Sequence, residues 1–274
     1  MAVIGLIAGS GPLPLEVATA VRERGRGLSV AAIEDNADPS LEGVSGATVA
    51  WFNAGQLDAL IGFLREAGAR EVLLAGAVSK RRILRDPGAL RPDARALALL
   101  ARLSSGRARG DDAILRALAG ELEDEGMRVV ESTAYLEDRM TPEGRIAGPE
   151  PSPEVLADAR LGLRVIESLG ALDVGQAALV HDGVVLAVEA VEGTDETIRR
   201  GSRYGRGAVL VKAAKPGQDM RFDVPVIGPA TLELAAECGL AAVALEASRT
   251  LILQRERSRA AAEREGVTLL GIRP

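Results

Sequence analysis

The amino-acid sequence predicts an α/β protein with an N-terminal Rossmann-like domain and a second, C-terminal mixed α/β domain. Two observations predict this class. Strand-like and helix-like segments alternate with short loops over residues 1–133, which is the pattern of a doubly wound parallel sheet. A stretch of about 20 residues, 134–153, then collects proline, glycine and charge, and it is too long for a simple connection inside one compact domain. We therefore expect a linker at 134–153 and a second domain at 154–274.

The first block begins with VIGLIA, a continuous apolar run that is typical of a strand buried on both faces of a parallel sheet. Segments with helical spacing of apolar residues then alternate with further apolar runs. The predicted elements are strands at 3–8, 28–33, 71–78 and 127–132, and helices at 15–25, 53–69, 91–103 and 111–126.

The second block carries the same kinds of signal. An amphipathic helix opens it, and an Asp-Gly pair at 182–183 predicts a β-hairpin. The predicted elements are helices at 154–173, 194–201, 229–239 and 250–266, and strands at 176–180, 184–190, 208–214, 224–228, 241–247 and 267–273.

Composition excludes several classes of function. The net charge of -6, from 39 Asp+Glu against 33 Lys+Arg, argues against a general nucleic-acid binder, which needs a basic face. The single cysteine, Cys238, rules out an intramolecular disulfide and a cysteine-rich zinc site, and we expect a buried structural thiol. The single histidine, His181, excludes two-histidine metal centres, and beside a hairpin turn it is expected to face solvent.

The sequence contains no stretch of about 20 apolar residues, which is the length that a membrane-spanning helix needs. The apolar run at 3–8 is short and follows no basic leader. We expect a soluble, cytoplasmic protein, which leaves open a contact with a membrane surface.

A glycine-rich turn follows the first predicted strand. Gly9, Ser10 and Gly11 resemble the start of a dinucleotide fingerprint, but Pro14 stands where its third glycine would fall and removes an amide that could face a phosphate. Glu34 and Asp35 lie at about the right distance for a ribose contact. We expect a turn that lets a nucleotide approach the first helix, and a turn without a ligand is the alternative.

Two helix starts carry further candidates. Asp111 and Asp112 open a predicted helix, where one of them could be an N-cap or could face a ligand. Thr231 follows Gly228-Pro229 at another helix start, where backbone amides can bind an anion.

The stretch 185–231 alternates buried strand-like runs with charged residues that no core needs. Because histidine and cysteine are scarce, hydrolysis here would depend on carboxylates that hold a hard cation such as Mg²⁺ and orient water. Glu189, Glu192 and Asp195 lie at a strand end that runs into a helix start, so they are the predicted metal ligands. The alternative is a structural cap, formed by Glu192 and Asp195 around Thr194.

The loop 215–223 combines both charge signs. If it is extended, alternate residues at 219, 221 and 223 share one face. Two acids beside basic residues then predict a phosphate clamp with its acid or base attached, and a surface charge ladder is the alternative. The residues concerned are Lys212, Lys215, Asp219, Arg221 and Asp223.

Strings in both halves of the sequence resemble a single family. They are AGSGPLP, GDDAILR, LDVGQAALV, VEAVEGTDETIRR, LVKAAKPGQDMRFDVPVIGPAT and GVTLLGI. Together they resemble the LpxI-type UDP-2,3-diacylglucosamine pyrophosphatases of bacterial lipid A biosynthesis, over nearly the whole chain. The C-terminal string, EGTD followed by KPGQDxRxDxPxxGxxT, is long and specific.

The resemblance implies hydrolysis of the pyrophosphate bond, a phosphoric anhydride, in UDP-2,3-diacylglucosamine. The implied products are UMP and 2,3-diacylglucosamine 1-phosphate (lipid X). The resemblance also implies a Mg²⁺ requirement, a homodimer, transient contact with the inner membrane surface, and two domains with the lipid held between them.

The family's catalytic aspartate falls within 218–223, and we assign it to Asp219 first and to Asp223 second. Lys212, Lys215 and Arg221 would neutralise charge in the transition state. The residues expected to contact substrate are Gly9, Ser10, Gly11, Leu13, Asp111, Asp112, Gln176, Thr194, Gln218 and Thr231.

Two other classes of function remain as alternatives. The N-terminal turn is compatible with an NAD(P)-dependent oxidoreductase, although Pro14 and the lack of an evident hydride-transfer base count against it. A non-catalytic protein that binds a nucleotide sugar or a lipid would bind the same ligand and release no UMP.

Overall fold

The computed structural model describes residues 2–78, 90–105, 111–172 and 174–274, which form two compact units. The first unit contains the chain up to Leu136 together with Asp219–Asp223. The second contains Glu137–Gln218 and Val224–Pro274. A short segment from the second half of the chain therefore belongs to the first unit. The predicted domain boundaries at 133 and 153 stay a prediction.

The first unit is built on a five-stranded sheet in which every neighbouring pair of strands is parallel. The spatial order is β3-β2-β1-β4-β5, so the strand order reverses between β1 and β4. This topology confirms the predicted Rossmann-like class. The strands are β1 (Val3–Ala8), β2 (Gly27–Ile33), β3 (Ala47–Phe52), β4 (Ala69–Ala75) and β5 (Arg128–Val129).

Amphipathic helices cover this sheet. In α2 the buried residues Leu57, Leu60, Ile61 and Leu64 recur with helical spacing, and they pack against strand residues such as Val72. The helices of the first unit are α1 (Leu13–Glu23), α2 (Leu57–Glu66), α3 (Ala94–Ser105) and α4 (Asp111–Asp124).

An ion-pair network fixes α4 against α3. Arg95 Nε donates to Glu121 Oε2 at 2.6 Å, and Arg95 Nη1 donates to Glu125 Oε1 at 2.8 Å. Glu121 is buried, and a buried carboxylate is tolerated when cationic donors satisfy it. The hydrogen bond from Arg95 and a second one from Arg102 lower the pKa of Glu121, against the opposing effect of burial.

The second unit contains a six-stranded mixed sheet of order β6-β13-β11-β9-β7-β8. Its central strands β13, β11 and β9 are parallel, whereas β6, β7 and β8 pair antiparallel with their neighbours. The strands of the second unit are β6 (Gly144–Ala147), β7 (Ala177–His181), β8 (Val184–Val188), β9 (Val209–Lys212), β11 (Ala242–Glu246) and β13 (Thr268–Ile272), with a separate parallel pair β10 (Val226–Ile227) and β12 (Leu251–Ile252). The helices are α5 (Pro153–Gly170), α6 (Thr194–Gly201), α7 (Pro229–Glu237) and α8 (Arg255–Glu265).

Both faces of the central strand β9 are buried. In β9, Val209 and Val211 pack in one apolar cluster with Leu163 of α5. The alternate residue, Leu210, packs in a second cluster with Ile198 of α6. Because successive side chains of a strand point to opposite faces, a continuous apolar run is what a strand covered on both sides requires.

Two sequence-based assignments of secondary structure are wrong. No strand is predicted at Ala47–Phe52, although β3 forms there as an edge strand with partly exposed side chains. The helix predicted from Thr250 begins only at Arg255, because Leu251 and Ile252 pair in parallel with β10.

Within the described ranges, no helix combines the length and the apolar character that crossing a membrane needs.

Replacing Gly162 in α5 with alanine should destabilise the protein by about 1–3 kcal/mol, since the new methyl group overpacks the helix–sheet contact. A Cβ at this position would lie 2.3 Å from Val211 Cγ2. Gly120 in α4 is the matched control, since a Cβ there meets nothing within 4 Å. Gly120→Ala should stabilise by about 0.5–1 kcal/mol through helix propensity. Urea unfolding of both variants checks this, and equal effects of the two substitutions would contradict it.

Candidate functional site

The strand directions of the second unit bring several predicted residues to one edge of its sheet. Lys212 ends β9, and its parallel neighbour β11 ends at Glu246 beside it, in the register that pairs Leu245 with Lys212. The strands β7 and β8 run in an antiparallel hairpin, with Ala177 of β7 paired to Lys212. The start of β7 and the end of β8 therefore lie at the carboxyl edge of β9.

A hydrogen-bonded network joins four of the predicted residues at this edge. Lys212 Nζ donates to Thr194 Oγ1 at 2.9 Å, and Thr194 Oγ1 donates to Glu189 Oε1 at 2.9 Å. The backbone amide of Gln176 donates to Glu189 Oε2 at 3.0 Å. The threonine hydroxyl therefore links an ammonium group to a carboxylate in a half-buried position, which fixes the direction of both side chains.

The other two predicted metal ligands, Glu192 and Asp195, are not part of this network. Glu192 Oε1 accepts from Arg200 Nη2 at 2.6 Å, and the same guanidinium nitrogen donates to the carbonyl oxygen of Val188 at 2.8 Å. Hydrogen bonds from its own backbone amide and from Arg200 lower the pKa of Glu192. Asp195 is exposed in the first turn of α6. Glu189, Glu192 and Asp195 are thus not drawn together, and their role as metal ligands stays a prediction.

A different group of possible metal ligands lies at the opposite edge of the same sheet. In the part of the chain that the structure describes, Asp158, His181 and Asp182 form the acidic and histidine cluster whose ligand atoms lie within 4.8 Å of one another. Asp158 Oδ2 and Oδ1 accept the backbone amides of Asp182 and Gly183 at 2.9 and 2.8 Å. These bonds account for the buried carboxylate, because they hold the hairpin turn between β7 and β8.

The turn after β9 carries Lys215 and Gln218, and it is closed by two reciprocal bonds. Lys215 N donates to Gln218 Oε1 at 2.7 Å, and Gln218 N donates to the Lys215 carbonyl oxygen at 3.1 Å. Thr231 lies in the first turn of α7, which begins without a side-chain cap.

Asp219 is the centre of a separate charge cluster in the first unit. Its Oδ1 accepts from Arg221 Nε at 3.0 Å and its Oδ2 accepts from Arg221 Nη2 at 2.8 Å. Arg116 Nη1 of α4 approaches Asp219 Oδ2 at 3.4 Å. The Asp219 side chain is 13% exposed. The hydrogen bond from Arg221 is the largest of the effects that lower the pKa of Asp219, so the carboxylate is held ionised.

The segment around Asp219 is a turn and is not extended, so the expected face shared by 219, 221 and 223 does not form. The amides of Phe222 and Asp223 both donate to the Asp219 carbonyl oxygen, at 3.0 and 3.3 Å. Phe222 packs against the apolar core of the first unit, and the Arg221 guanidinium lies 4.8 Å from its ring centroid. Asp223 is exposed.

The N-terminal turn is held by backbone pairing with the loop after β4. The amides of Gly9 and Ser10 donate to the carbonyl oxygens of Ala75 and Ala77, each at 2.8 Å. A Cβ at Gly9 would lie 2.6 Å from the Ala77 carbonyl oxygen, so this close approach requires glycine.

Prolines alter the helix start that follows this turn. Gly11 has a φ of 90°, and α1 begins at Leu13 after Pro12, with Pro14 also in its first turn. The prolines remove two amides from the place where a dinucleotide phosphate would bind. Asp111 and Asp112 lie in the first turn of α4, and their side chains are outside the described residues.

Sequence reasoning missed two contacts of the site. Arg116 lies in the GDDAILR string but was not singled out, and its pairing with Asp219 joins distant parts of the sequence. Glu246 is 5% exposed at the end of β11, in a run that reads only as a buried strand. Cys238 is partly buried and packs against the second unit's core, in keeping with the expected structural thiol.

Comparison with known proteins identifies the family. The family model described as the LpxI N-terminal domain matches residues 3–139, and the one described as the LpxI C-terminal domain matches residues 142–270. The chain belongs to the LpxI family. A curated relative, the UDP-2,3-diacylglucosamine pyrophosphatase LpxI of Caulobacter vibrioides, is 41% identical over 280 aligned residues, with 99% of this chain and 98% of the relative covered.

Solved structures outside the LpxI family match more distantly. A UDP-glucose-4-epimerase from Stenotrophomonas maltophila, with bound NAD and formylated UDP-arabinopyranose, has 15% identity and a TM-score of 0.30, over 46% of this chain and 35% of that one. A leucoanthocyanidin reductase–NADPH complex from Vitis vinifera has 18% identity and a TM-score of 0.27, over 46% and 47%. These values are too low to bear on function.

Replacing Arg221 with glutamine should raise the pKa of Asp219 towards its ordinary value, because the largest lowering effect is removed. A carboxylate with a lowered folded-state pKa stabilises the fold above the unfolded value of about 3.9, and this contribution is lost as the pH falls through the folded value. The variant should therefore lose stability near neutral pH and lose little below the folded pKa. Carboxyl-carbon NMR titration and acid unfolding measure the two effects.

Arg199→Gln is the control for this substitution, because Arg199 pairs with Glu196 on an exposed face of α6. It should leave the titration of Asp219 unchanged. An unaltered Asp219 titration in Arg221→Gln would contradict the assigned cause.

Proposed function

We propose that this protein hydrolyses the pyrophosphate bond of UDP-2,3-diacylglucosamine in lipid A biosynthesis, giving UMP and 2,3-diacylglucosamine 1-phosphate. Membership of the LpxI family and the full-length identity to a pyrophosphatase of that name support this proposal. The structural observation that carries it is the network in which Thr194 links Lys212 to Glu189 at a sheet edge. It supplies a fixed cation and a fixed carboxylate, which diphosphate hydrolysis can use.

We assign to Lys212 and Lys215 the role of binding the diphosphate. The hydrogen bond to Thr194 holds the Lys212 ammonium in one direction before substrate binds, so little reorganisation accompanies the reaction. Charge that develops on the phosphoryl oxygens as the bridging bond breaks is stabilised by such a cation. Gln176, Thr194, Gln218 and Thr231 are retained as proposed substrate contacts.

We assign to Asp219 the role of orienting the attacking water. Asp223 is the second candidate for this role. Arg221 keeps Asp219 ionised, and an ionised carboxylate can accept a hydrogen bond from water and orient it. The water oxygen bonds to one phosphorus, the bridging P–O bond breaks, and the water proton leaves through the carboxylate to solvent. Arg221 and Arg116 would hold the aspartate in place and neutralise phosphate charge.

Mg²⁺ is proposed as the cofactor, on the resemblance and on the chemistry of the diphosphate. The described residues do not gather the three predicted acids into a ready-made site, but Mg²⁺ commonly takes one or two carboxylates and completes its shell with phosphate oxygens and water. Glu189 fits the protein's share of such a shell, because it is half-buried at the sheet edge and is linked through Thr194 to Lys212. When bound, the ion would neutralise charge on the diphosphate.

A homodimer, a cytoplasmic location and transient contact with the inner membrane surface are proposed from the same resemblance. The substrate's two acyl chains give the membrane contact its physical reason, since such a lipid resides in a bilayer. Gly9, Ser10, Gly11 and Leu13 are proposed to receive part of the nucleotide or sugar.

The purified protein should release UMP from UDP-2,3-diacylglucosamine, and Asp219→Asn should lower kcat by at least about 100-fold, because the carboxylate that orients water is lost. The asparagine keeps the size of the side chain, so substrate binding should persist. Chromatography of UMP and calorimetric binding measure the two effects. Full activity in both Asp219→Asn and Asp223→Asn would overturn the assignment of the acid, and absence of UMP from the wild-type protein would overturn the function.

Chelation with excess EDTA should abolish UMP release, and added Mg²⁺ should restore it, because the diphosphate charge is then neutralised again. Glu189→Gln should raise the Mg²⁺ concentration that gives half-maximal activity by about tenfold, an estimate for one lost carboxylate ligand. Glu196→Gln, on the exposed surface of α6, is the control. Undiminished activity in EDTA would contradict the metal requirement.

A further inference from the structure

Glu246 is a buried carboxylate that has no role in the reaction described above. Its side chain is 6% exposed and lies at the end of β11, beside the end of β9. Its Oε2 accepts the backbone amide of Ala214 at 2.9 Å, and its Oε1 accepts from Arg249 Nη1 at 3.1 Å. A buried carboxylate is costly unless such donors satisfy it, so removing Glu246 or removing its donors should each disturb the local structure.

The amide bound by Glu246 belongs to the turn that carries Lys212 and Lys215. Within this turn the amide of Ala213 donates to the Gln176 carbonyl oxygen at 3.0 Å, and the amide of Lys215 donates to Gln218 Oε1 at 2.7 Å. Ala214 lies between them and is itself buried. Three successive amides are therefore held by three different parts of the chain, and the Glu246 bond ties the turn to β11.

We propose that Glu246 is a positioning residue that holds this turn, and through it Lys212 and Lys215, in the geometry that the diphosphate requires. This inference rests on the proposed function. Without the carboxylate, the buried amide of Ala214 loses its acceptor, and the turn must shift to regain one. A displacement of about 1 Å in groups that orient a substrate can lower turnover by about 100-fold.

The second unit offers a matched control. Asp158 is also 5% exposed, and it also holds a turn by accepting backbone amides, those of Asp182 and Gly183. Its turn lies at the opposite edge of the sheet, away from Lys212. Removing either carboxylate should destabilise the fold for the same reason, and only the loss of Glu246 should displace the lysines.

The experiment compares Glu246→Ala, Glu246→Gln and Asp158→Ala with the wild-type enzyme, using UDP-2,3-diacylglucosamine and Mg²⁺. Glu246→Ala should lower kcat by about 10- to 100-fold with a smaller change in KM, because the lysines act mainly in the transition state. Glu246→Gln keeps a carbonyl acceptor for Ala214 and should stay within about threefold of wild type. Asp158→Ala should stay within about twofold at a temperature where it is folded.

Amide hydrogen exchange without substrate gives a readout that does not depend on activity. Glu246→Ala should raise exchange at Ala214 and Lys215, and Asp158→Ala should raise it at Asp182 and Gly183. If Glu246→Ala does not fold, Glu246→Gln decides the matter, since a folded variant with more than tenfold lower kcat would overturn the amide-holding role. Wild-type kcat in a folded Glu246→Ala would also overturn it. A wild-type enzyme that releases no UMP would instead refute the proposed function.

Discussion

The parallel pairing of β9 with β11 is the constraint on which the candidate site of the second unit depends. It brings the carboxyl ends of two buried strands to one edge, where Lys212 and Glu246 are neighbours. The hairpin formed by β7 and β8 then adds the amide of Gln176 and the carboxylate of Glu189 from the opposite chain direction. Polar side chains at this edge are therefore fixed by strands whose own residues are almost entirely apolar.

In the first unit, too, polar groups are held in place by an apolar sheet and the loops that follow its strands. Its sheet reverses order between β1 and β4, and the loops after these strands pair through the backbone of Ser10 and Ala77. Its charged cluster depends on α4, which is fixed by Arg95 and which presents Arg116 to Asp219. The ion pairs of Arg95 and the apolar sheet together fix α4, and α4 in turn positions Arg116 beside the carboxylate of Asp219.

The sequence predicts those parts of the fold and of the candidate site that depend on neighbouring residues in the chain, and it does not predict those that depend on contacts between distant segments. The positions of Glu189 and Lys212 at one sheet edge could be predicted, because each of them comes at the end of an apolar strand-like run. The hydrogen bonds of Thr194 to both could not, because Thr194 opens a helix. The strand at Ala47–Phe52 was missed, although its run ATVAWF of apolar and β-branched residues is itself a strand signal. Arg116 and Glu246 depend on contacts between distant segments, which no spacing in the sequence displays. The turn at Asp219 replaces the expected extended segment because its carbonyl oxygen collects two amides.

The assignment of Asp219–Asp223 to the first unit also limits how the protein can be divided. A single cut after Leu136 would strip the first unit of Phe222, which packs in its core, and of Arg221, which pairs with Glu123. The N-terminal half expressed alone would therefore lack part of its own folding unit, whereas the C-terminal half would keep every residue of the second unit.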